Sequence, residues 1–346
     1  MKKSVRLVDV AMRAGVGVGT ASRVINNHPS VKEDKRRRVL EAIEEMDYQI
    51  NGIARSLKAN STKTIGVLIP DIANEFYADV VRGMEDLAHS KGYSYILSST
   101  DSNTEKELLS ISIMREKQVD GIMIMSHTVA PQMLEYVQHN ALPAVLVASG
   151  MSHSSVATVS INNRLAAYEA VRYLLDLGHT LIAMVSGPDC DQSGGIDRLA
   201  GFQDAMRERG LMVPGGYIQI GSDYTYQTGY RKMENLLTLP QPPTAVFLAG
   251  DYMAIGAIKA ADDHGVTVPG QLAVMGFDNL AVSQFYSPSL STVNQPRYQM
   301  GQEAMRLLFC QITGETPQTL SVVLPHAVLK RQSTEGSPKK KRDSRA

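Results

Sequence analysis

Gly15, Gly17 and Gly19 stand at alternate positions in GVGVGTASRVINN, residues 15–27, ahead of a helix-forming run. Glycines so placed suggest a loop whose bare backbone cradles a phosphate. A dinucleotide fingerprint, however, needs the spacing G-x-G-x-x-G after a strand, with an acidic residue about twenty positions on. Here the third glycine comes one residue early. In front of the glycines, Leu7, Val10, Ala11 and Ala14 keep the i, i+3, i+4, i+7 rhythm of a helix face, and Val18, Ala21, Val24 and Ile25 repeat it behind them. Helix, short glycine turn and helix make a helix-turn-helix, whose chemistry is contact with a DNA groove.

A second set of polar residues falls where apolar runs stop: Asp71 after TIGVLIP, Ser126 after GIMIM, Ser149 after AVLVA, Asp251 after AVFLAG and Asp278 after AVMGF. Ligands of parallel sheets bind beyond the carboxyl ends of strands. The pattern therefore describes a cleft for a small polar molecule with hydroxyls to donate. Each of these residues serves equally well as the cap of the helix that follows. The sequence has no nucleophile elbow, no metal-ligand spacing and no paired carboxylates in one short motif, and its eight histidines are scattered. It reads as a binding protein without a cofactor rather than an enzyme.

These residues need a scaffold, and the rest of the chain describes one. TIGVLIP, YSYILSS, GIMIMS, PAVLVAS, TLIAMVSG, AVFLAG and LAVMGF are apolar runs separated by amphipathic stretches, one of them a helix from about Phe76 to Lys91. Continuous apolar strands alternating with helices mean βαβ units and parallel sheet. Gly92, Gly178, Gly210 and Gly265 fall where helices should end. There are strands enough for two doubly wound lobes. In the first sixty residues, helices are expected at about 7–14, 18–26, 32–47 and 51–58. The third places Val39, Ala42, Ile43 and Met46 on one face and a basic run, Lys35 to Arg38, near its start. Cations there oppose the helix dipole, so the run invites a phosphate or forms a solvated face.

The 346 residues carry no net charge, but residues 1–60 hold twelve Lys/Arg against seven Asp/Glu and the last ten residues five against one. That leaves a basic headpiece at +5, a basic tail at +4 and a body at −9. Such asymmetry suggests a nucleic-acid contact at one end. Cys190 and Cys310 form no CxxC pair and are expected to be buried free thiols. The N-terminus lacks an uninterrupted apolar core and no run of eighteen apolar residues occurs, which predicts a cytoplasmic protein without membrane contact.

DVAMRAGVGVGTASRVINN, then NGIARSLKAN and TIGVLIPDIANEFY, resemble the headpiece, hinge and first core strand of the LacI/GalR family of bacterial transcription repressors. The resemblance continues through GHTLIAMVSGP, RLAGFQDAM, TAVFLAGDYMAIGAIKA, AVMGFDN and VLKRQST. It implies an α/β protein: a small all-α helix-turn-helix headpiece plus a two-lobed, doubly wound core of the type I periplasmic-binding-protein kind. The domains implied are a headpiece over 1–50, a hinge over 51–62, an N-lobe over 63–161 and 293–322, a C-lobe over 162–292 and 323–334, and a basic tail over 335–346. By position the DNA readers are Val18 and Gly19, followed by Thr20, Ser22 and Arg23. Arg23 suits a guanine and Val18 a thymine methyl. In the hinge, Leu57 holds the place of a minor-groove wedge, beside Asn51, Ala54 and Arg55. Arg198 and Asp278 match effector contacts, and Phe76, Tyr77 and Tyr224 match aromatics that pack on the ligand.

The chain departs from the family in places. Gly17 and Gly19 stand where relatives usually have serine, Ala21 where they have valine, Lys32 for a capping serine and Ile50 for a proline. Gly17 falls at the expected N-cap of the second helix, and Ser30 with Glu33 offers a shifted capping box for the third. The expectation is a homodimer that reads a palindromic operator and represses genes of carbohydrate uptake or use, switched by a sugar or related effector between the lobes. Alternatives are a purine co-repressor, a phosphoprotein co-effector as in the catabolite-control branch, and a solute-binding protein without a regulatory role. The PKKKR tail reads as a solvated or DNA-neutralising segment, or as an import-like signal.

Overall fold

The computed structural model describes residues 5–25, 28–48, 61–150 and 156–335. The chain divides into two compact units, residues 1–62 and 63–346.

In the first unit three helices, α1 (Leu7–Arg13), α2 (Val18–Ile25) and α3 (Glu33–Glu45), follow the apolar rhythm of the sequence. Val10, Ala11, Ala21, Val24, Val39 and Ala42 meet in one small core. Gly15, at φ 63°, makes the left-handed turn that a side chain would strain. The Gly17 carbonyl then accepts the amides of Thr20 (2.8 Å) and Ala21 (3.1 Å), which makes Gly17 the residue before α2 as expected.

One expectation for α3 is corrected. The Ser30 hydroxyl lies 2.9 Å from His28 Nδ1 and does not form a capping box with Glu33; Lys32 is the N-cap and its side chain caps nothing. The basic run is also largely committed within the unit. Arg36 donates to the His28 carbonyl (2.9 Å), Arg38 to the Gly15 carbonyl (3.2 Å), and Arg37 stands 3.7 Å from Asp34 and 3.9 Å from Glu41. Arg36 and Arg38 tie loops to α3, and Arg37 pairs along the helix itself. The expected helix over 51–58, with Asn51, Ala54, Arg55 and Leu57, lies outside the described residues, as does the tail from residue 336.

The second unit holds two parallel sheets. The first is ordered β11-β5-β4-β3-β1-β2, from β1 (Thr64–Ile69), β2 (Ser94–Ser99), β3 (Gly121–Ile124), β4 (Ala144–Val147), β5 (Ala157–Ile161) and β11 (Ser321–Leu324). The second is ordered β7-β6-β8-β9, from β6 (Ile182–Ser186), β7 (Ile218–Ile220), β8 (Ala245–Leu248) and β9 (Ala273–Met275). Helices α4 (Glu75–Ser90), α5 (Thr104–Glu116), α6 (Pro131–His139) and α12 (Arg297–Thr313) belong with the first sheet. With the second go α7 (Asn163–Asp176), α8 (Arg198–Glu208), α9 (Tyr226–Leu237), α10 (Asp251–Asp263) and the short α11 (Ala281–Phe285). β3, β4, β6, β8 and β9 are buried at every residue, which is why they read as continuous apolar runs.

A separate antiparallel pair, β10 (Thr292–Asn294) with β12 (Ala327–Leu329), lies on the chain segments that pass between the sheets. β11 stays paired with β5 through Leu324, so the last crossing comes after residue 324 and not at 322. α4 and α12 cross backbone to backbone: a Cβ on Gly83 would stand 2.0 Å from the Tyr298 carbonyl oxygen, and one on Gly301 2.0 Å from that of Val80. The expected helix ends are present, with Gly92, Gly178, Gly210 and Gly265 all at positive φ. Cys190 is exposed and Cys310 half-buried, so the expectation of two buried thiols is corrected.

Candidate functional site

Two surfaces bring the chemistry-bearing residues together, one in each unit. In the headpiece, Ala21 and Val24 anchor α2 to the core and leave the opposite face outward. Val18, at 45 % exposure, Gly19 and Arg23 are exposed, and Thr20 and Ser22 half-buried. Val18 is an apolar side chain presented to solvent at a helix start, which a methyl-bearing partner would cover. A Cβ on Gly19 would meet only the Arg23 guanidinium, at 3.8 Å, so glycine is not required there by packing. The Arg23 Nε donates to the Gly19 carbonyl at 3.2 Å, which holds the side chain along the helix.

In the second unit a cavity opens beyond the carboxyl ends of both sheets. Asn74, Phe76, Tyr77, Met125, Ser126 and His127, with Val147 and Ala148, line it from the first sheet. Asp191, Ser193, Gly194, Arg198, Tyr224 and Asp278 line it from the second. α4 begins at the Asn74 cap, whose side chain accepts the Phe76 amide at 3.0 Å, and this places Phe76 and Tyr77 at the cavity wall. The Tyr77 hydroxyl lies 2.9 Å from His127 Nε2, and His127 Nδ1 lies 3.0 Å from the Ser102 hydroxyl. Across the cavity, the Tyr224 ring stands 5.1 Å from the His127 ring.

A six-residue π-helical turn, Gln192–Asp197, leads into α8. The Asp191 carboxylate caps it, accepting the amides of Ser193 (2.9 Å) and Gly194 (3.0 Å), and takes a further hydrogen bond from the Tyr224 hydroxyl. Tyr224 fits only because Gly187 and Gly194 are bare; a Cβ on either would fall about 2 Å from its hydroxyl oxygen, at 2.1 and 2.0 Å. Arg198 follows at the start of α8. Its Nε donates to the Asn163 side chain at 2.9 Å and its Nη1 to the Ala249 carbonyl, and Asp278 stands 3.9 Å away.

Asp278 is held in an unusual backbone conformation, φ 111°, followed by Asn279 at 57°. Strain of that kind is sustained by surrounding contacts. Gln295 donates to the Asp278 carboxylate at 2.6 Å, and Arg297 donates to the carbonyls of Asp278 and Asn279 while pairing with Asp79. Burial pushes the Tyr77 and Tyr224 hydroxyls well up and His127 below its usual value. It also raises Asp278, against the pull of Arg198 and Arg297.

Of the residues singled out from sequence, Phe76, Tyr77, Ser126, Arg198, Tyr224 and Asp278 share this cavity. Asp71, Ser149 and Asp251 do not line it. Asp71 is exposed and accepts the Ala73 amide at 2.9 Å in an Asx turn. The Ser149 hydroxyl lies behind Ser126, donating to its carbonyl at 3.0 Å. Asp251, 0 % exposed, accepts Thr292 Oγ1 (2.6 Å) and the Leu280 amide (2.7 Å), and so braces the Asp278 loop from beneath. Asn74, His127, Asp191 and Ser193 were not expected from sequence. One signal was available for Asp191: an aspartate two residues ahead of Ser193, Gly194 and Gly195 in the loop after β6, the pattern of a cap. Among the described residues no group of His, Cys, Asp or Glu could hold a metal, and no helix is long and apolar enough to cross a membrane.

A helix-turn-helix unit and a two-sheet core with a small polar cavity between the sheets define a regulator with a sensor body. Residues 6–51 match the family model described as bacterial regulatory proteins, lacI family, and residues 171–334 match the periplasmic binding protein-like domain. Catabolite control protein A of Priestia megaterium is 43 % identical over 331 residues, covering 96 % of this chain and 99 % of the relative. The transcriptional repressor CytR of Escherichia coli K12 is 36 % identical, covering 95 % of this chain and 96 % of its own. Among solved structures, the lac repressor dimer bound to operator and the anti-inducer ONPF superposes with a TM-score of 0.88 at 26 % identity, over 96 % of this chain and 99 % of that one. The chain belongs to the LacI family of bacterial transcription regulators. Its relatives are regulators and not enzymes.

Proposed function

We propose that this regulator binds palindromic operator DNA as a homodimer, represses genes of carbohydrate uptake or use, and is switched by a small polar effector held between the two sheets. Val18, Gly19, Thr20, Ser22 and Arg23 would face the operator, with Asn51, Ala54, Arg55 and Leu57 in the hinge. Phe76, Tyr77, Ser126, Arg198, Tyr224 and Asp278 would hold the effector. The observation that carries the reading is this convergence of aromatics, carboxylates and one guanidinium from both sheets on one cavity. Two relatives' structures support it: one contains operator and ONPF, another cellobiose.

The mechanism follows from the contacts that join the two sides. Glu75 accepts the Ala281 amide at 2.7 Å, Thr128 donates to the Cys190 carbonyl at 2.9 Å, and Arg297 on α12 donates to the Asn279 carbonyl at 3.0 Å. A ligand that strengthens or breaks these ties changes the angle between the sheets and so the presentation of the headpieces. A coupling of about 1–3 kcal/mol is ordinary for such a switch. A second reading, a phosphoprotein co-effector, is favoured by the cavity's free volume of about 50 Å³, room for only a few waters. The 43 % identity to catabolite control protein A favours it too.

Operator binding measured by fluorescence anisotropy, with sugars, sugar acids and purines added in turn, tests the first reading. A ligand at a hundred times its Kd stabilises the protein by about 2.7 kcal/mol, so thermal unfolding identifies candidates beforehand. No response to any small molecule, in either assay, removes the first reading and leaves the second.

A further inference from the structure

The chain passes between the two sheets three times, and each passage is short. Ile161, the last residue of β5, is held beside Leu324 of β11, and α7 begins at Asn163, capped by Asn162. β10 ends at Asn294 and α12 begins at Arg297; β11 ends at Leu324 and β12 begins at Ala327. The antiparallel pair itself goes with the second sheet, because Ser291 and Asn294 bridge to Met275 and Asp278, and the Val274 amide donates to the Ser333 carbonyl at 3.0 Å. Hinge motions are absorbed by a few residues at the ends of elements. Here those residues are Asn162, Gln295 with Pro296, and Pro325 with His326.

Asn162 and Gln295 serve the elements beside them, as the cap of α7 and as a donor to Asp278. His326 instead reaches a helix formed much earlier in the chain. Its Nε2 lies 3.0 Å from Glu169 Oε2 on α7, with 9 % of the histidine side chain exposed and 35 % of the glutamate side chain. The carboxylate accepts from the ring N–H. One turn further along the same face of α7, the Lys330 ammonium lies 4.8 Å from the centre of the Tyr173 ring, and the Tyr173 hydroxyl meets Thr334 at 3.0 Å. The last crossing is therefore fastened along α7 from His326 to Thr334. On the other side Leu324 is fastened to the first sheet, and Pro325, whose ring fixes φ, is the one residue between. Neither His326 nor Glu169 lines the cavity. Without their bond the free span grows from Pro325 alone to Pro325 and His326, and the last crossing no longer fixes the angle at which one sheet leaves the other.

We infer that the bond between His326 and Glu169 is a latch on the last crossing, and that His326 is a positioning residue of the switch: it biases the two sheets toward the arrangement seen here by acting on the hinge and not on the cavity. The inference rests on the reading that the angle between the sheets governs operator binding.

The experiment uses Thr128 and Cys190, which meet across the seam where the Thr128 hydroxyl donates to the Cys190 carbonyl at 2.9 Å. Full-length protein carrying Thr128→Cys and Cys310→Ser is oxidised with diamide, and the disulfide between position 128 and Cys190 is followed by thiol alkylation and gel mobility. Each variant is assayed well below its own unfolding midpoint. In this background His326→Ala and Glu169→Ala each slow the cross-link about threefold or more, and the two together slow it no further than either alone. His326→Gln, which keeps an N–H for the carboxylate, restores the rate. Operator selected from random DNA binds His326→Ala and Glu169→Ala, made in the wild-type chain, with an affinity changed about threefold or more. Cross-linking at the unsubstituted rate in both alanine variants, or slowing that adds up in the double variant, overturns the latch. Slower cross-linking with unchanged operator affinity keeps the latch and overturns its part in the switch. If the wild type binds no selected operator, the reading of the protein as a DNA-binding switch fails and the part in the switch with it, while the cross-linking rates still decide the latch.

Discussion

The Arg198 guanidinium lies over the Phe277 ring, 3.6 Å from its centroid, with its Nε on Asn163 and its Nη1 on the Ala249 carbonyl. One side chain thereby joins α7, the end of β8 and the loop after β9 at the cavity floor. It is 7 % exposed and stands 3.9 Å from the Asp278 carboxylate.

Replacing Arg198 by alanine takes a buried cation from beside the Asp278 carboxylate and leaves the Ala249 carbonyl and the Asn163 side chain without their donor. The expected loss is about 3–5 kcal/mol in urea unfolding, the range for breaking a buried pair from one side. Arg198→Lys keeps the charge but loses the fork and the stacked plane. It should unfold less readily than the alanine variant and still lose the thermal response to effector.

Tyr224→Phe removes the hydroxyl that donates to Asp191 and keeps the ring against His127. A hydrogen bond to a charged acceptor contributes about 1.5–3 kcal/mol, and the cavity side of Asp191 can take up water, so the lower end is expected. Urea unfolding reads the loss. A change below about 0.3 kcal/mol would show that the bond contributes nothing net.

Glu107, 2 % exposed on α5, accepts the Ser126 hydroxyl at 2.7 Å, and burial raises its pKa above the ordinary value of about 4.3. The folded state therefore holds a proton that the unfolded state releases first. Its contribution to stability is complete below the ordinary glutamate value and is lost as pH rises through the raised one. Glu107→Gln keeps an acceptor for Ser126 without the charge. Stability measured from pH 4 upward should fall less steeply in the variant, which at neutral pH matches or exceeds wild type; a steeper fall in the variant refutes the assignment.

Gly19 lies inside the first turn of α2, where an added Cβ would make only ordinary contact with the Arg23 guanidinium. Gly19→Ala should stabilise the headpiece by up to about 1 kcal/mol, read by thermal melting monitored at the headpiece. Gly19→Ser adds a hydroxyl on the exposed face. Selection from random operators should then show a new preference at one base pair per half-site, and an unchanged preference means position 19 does not face DNA.

The sequence revealed most where burial is complete. Strands covered on both faces, such as β3 and β8, are apolar throughout and cannot be mistaken for an amphipathic helix of that length. β7, β10 and β12 are three residues each, too short for any period, and β11 alternates exposed with half-buried residues at the sheet edge. The same limit applies to the site. Strand ends directed attention to Ser126 and Asp278, but a strand end gives no direction to its side chain. Asp251 turned inward to brace a loop and Asp71 outward to close a turn. His127 sits in a loop whose course is set by Tyr77, fifty residues away, and Ser193 in the turn Gln192–Asp197, whose helical winding no local period announces.

The first sheet is finished by β11 and covered by α12, both from the last sixth of the chain, whereas β6 to β9 lie together between residues 182 and 275. On a ribosome the strands of the first sheet emerge early, with the edge of β5 unpaired and the glycine face of α4 bare. At 5–20 residues per second the missing pieces follow on the order of ten to thirty seconds later. An open parallel edge held that long is a template for pairing with other chains. The sheet made first is thus completed only near the end of the chain, and its survival during synthesis depends on how quickly the nascent chain reaches Leu324.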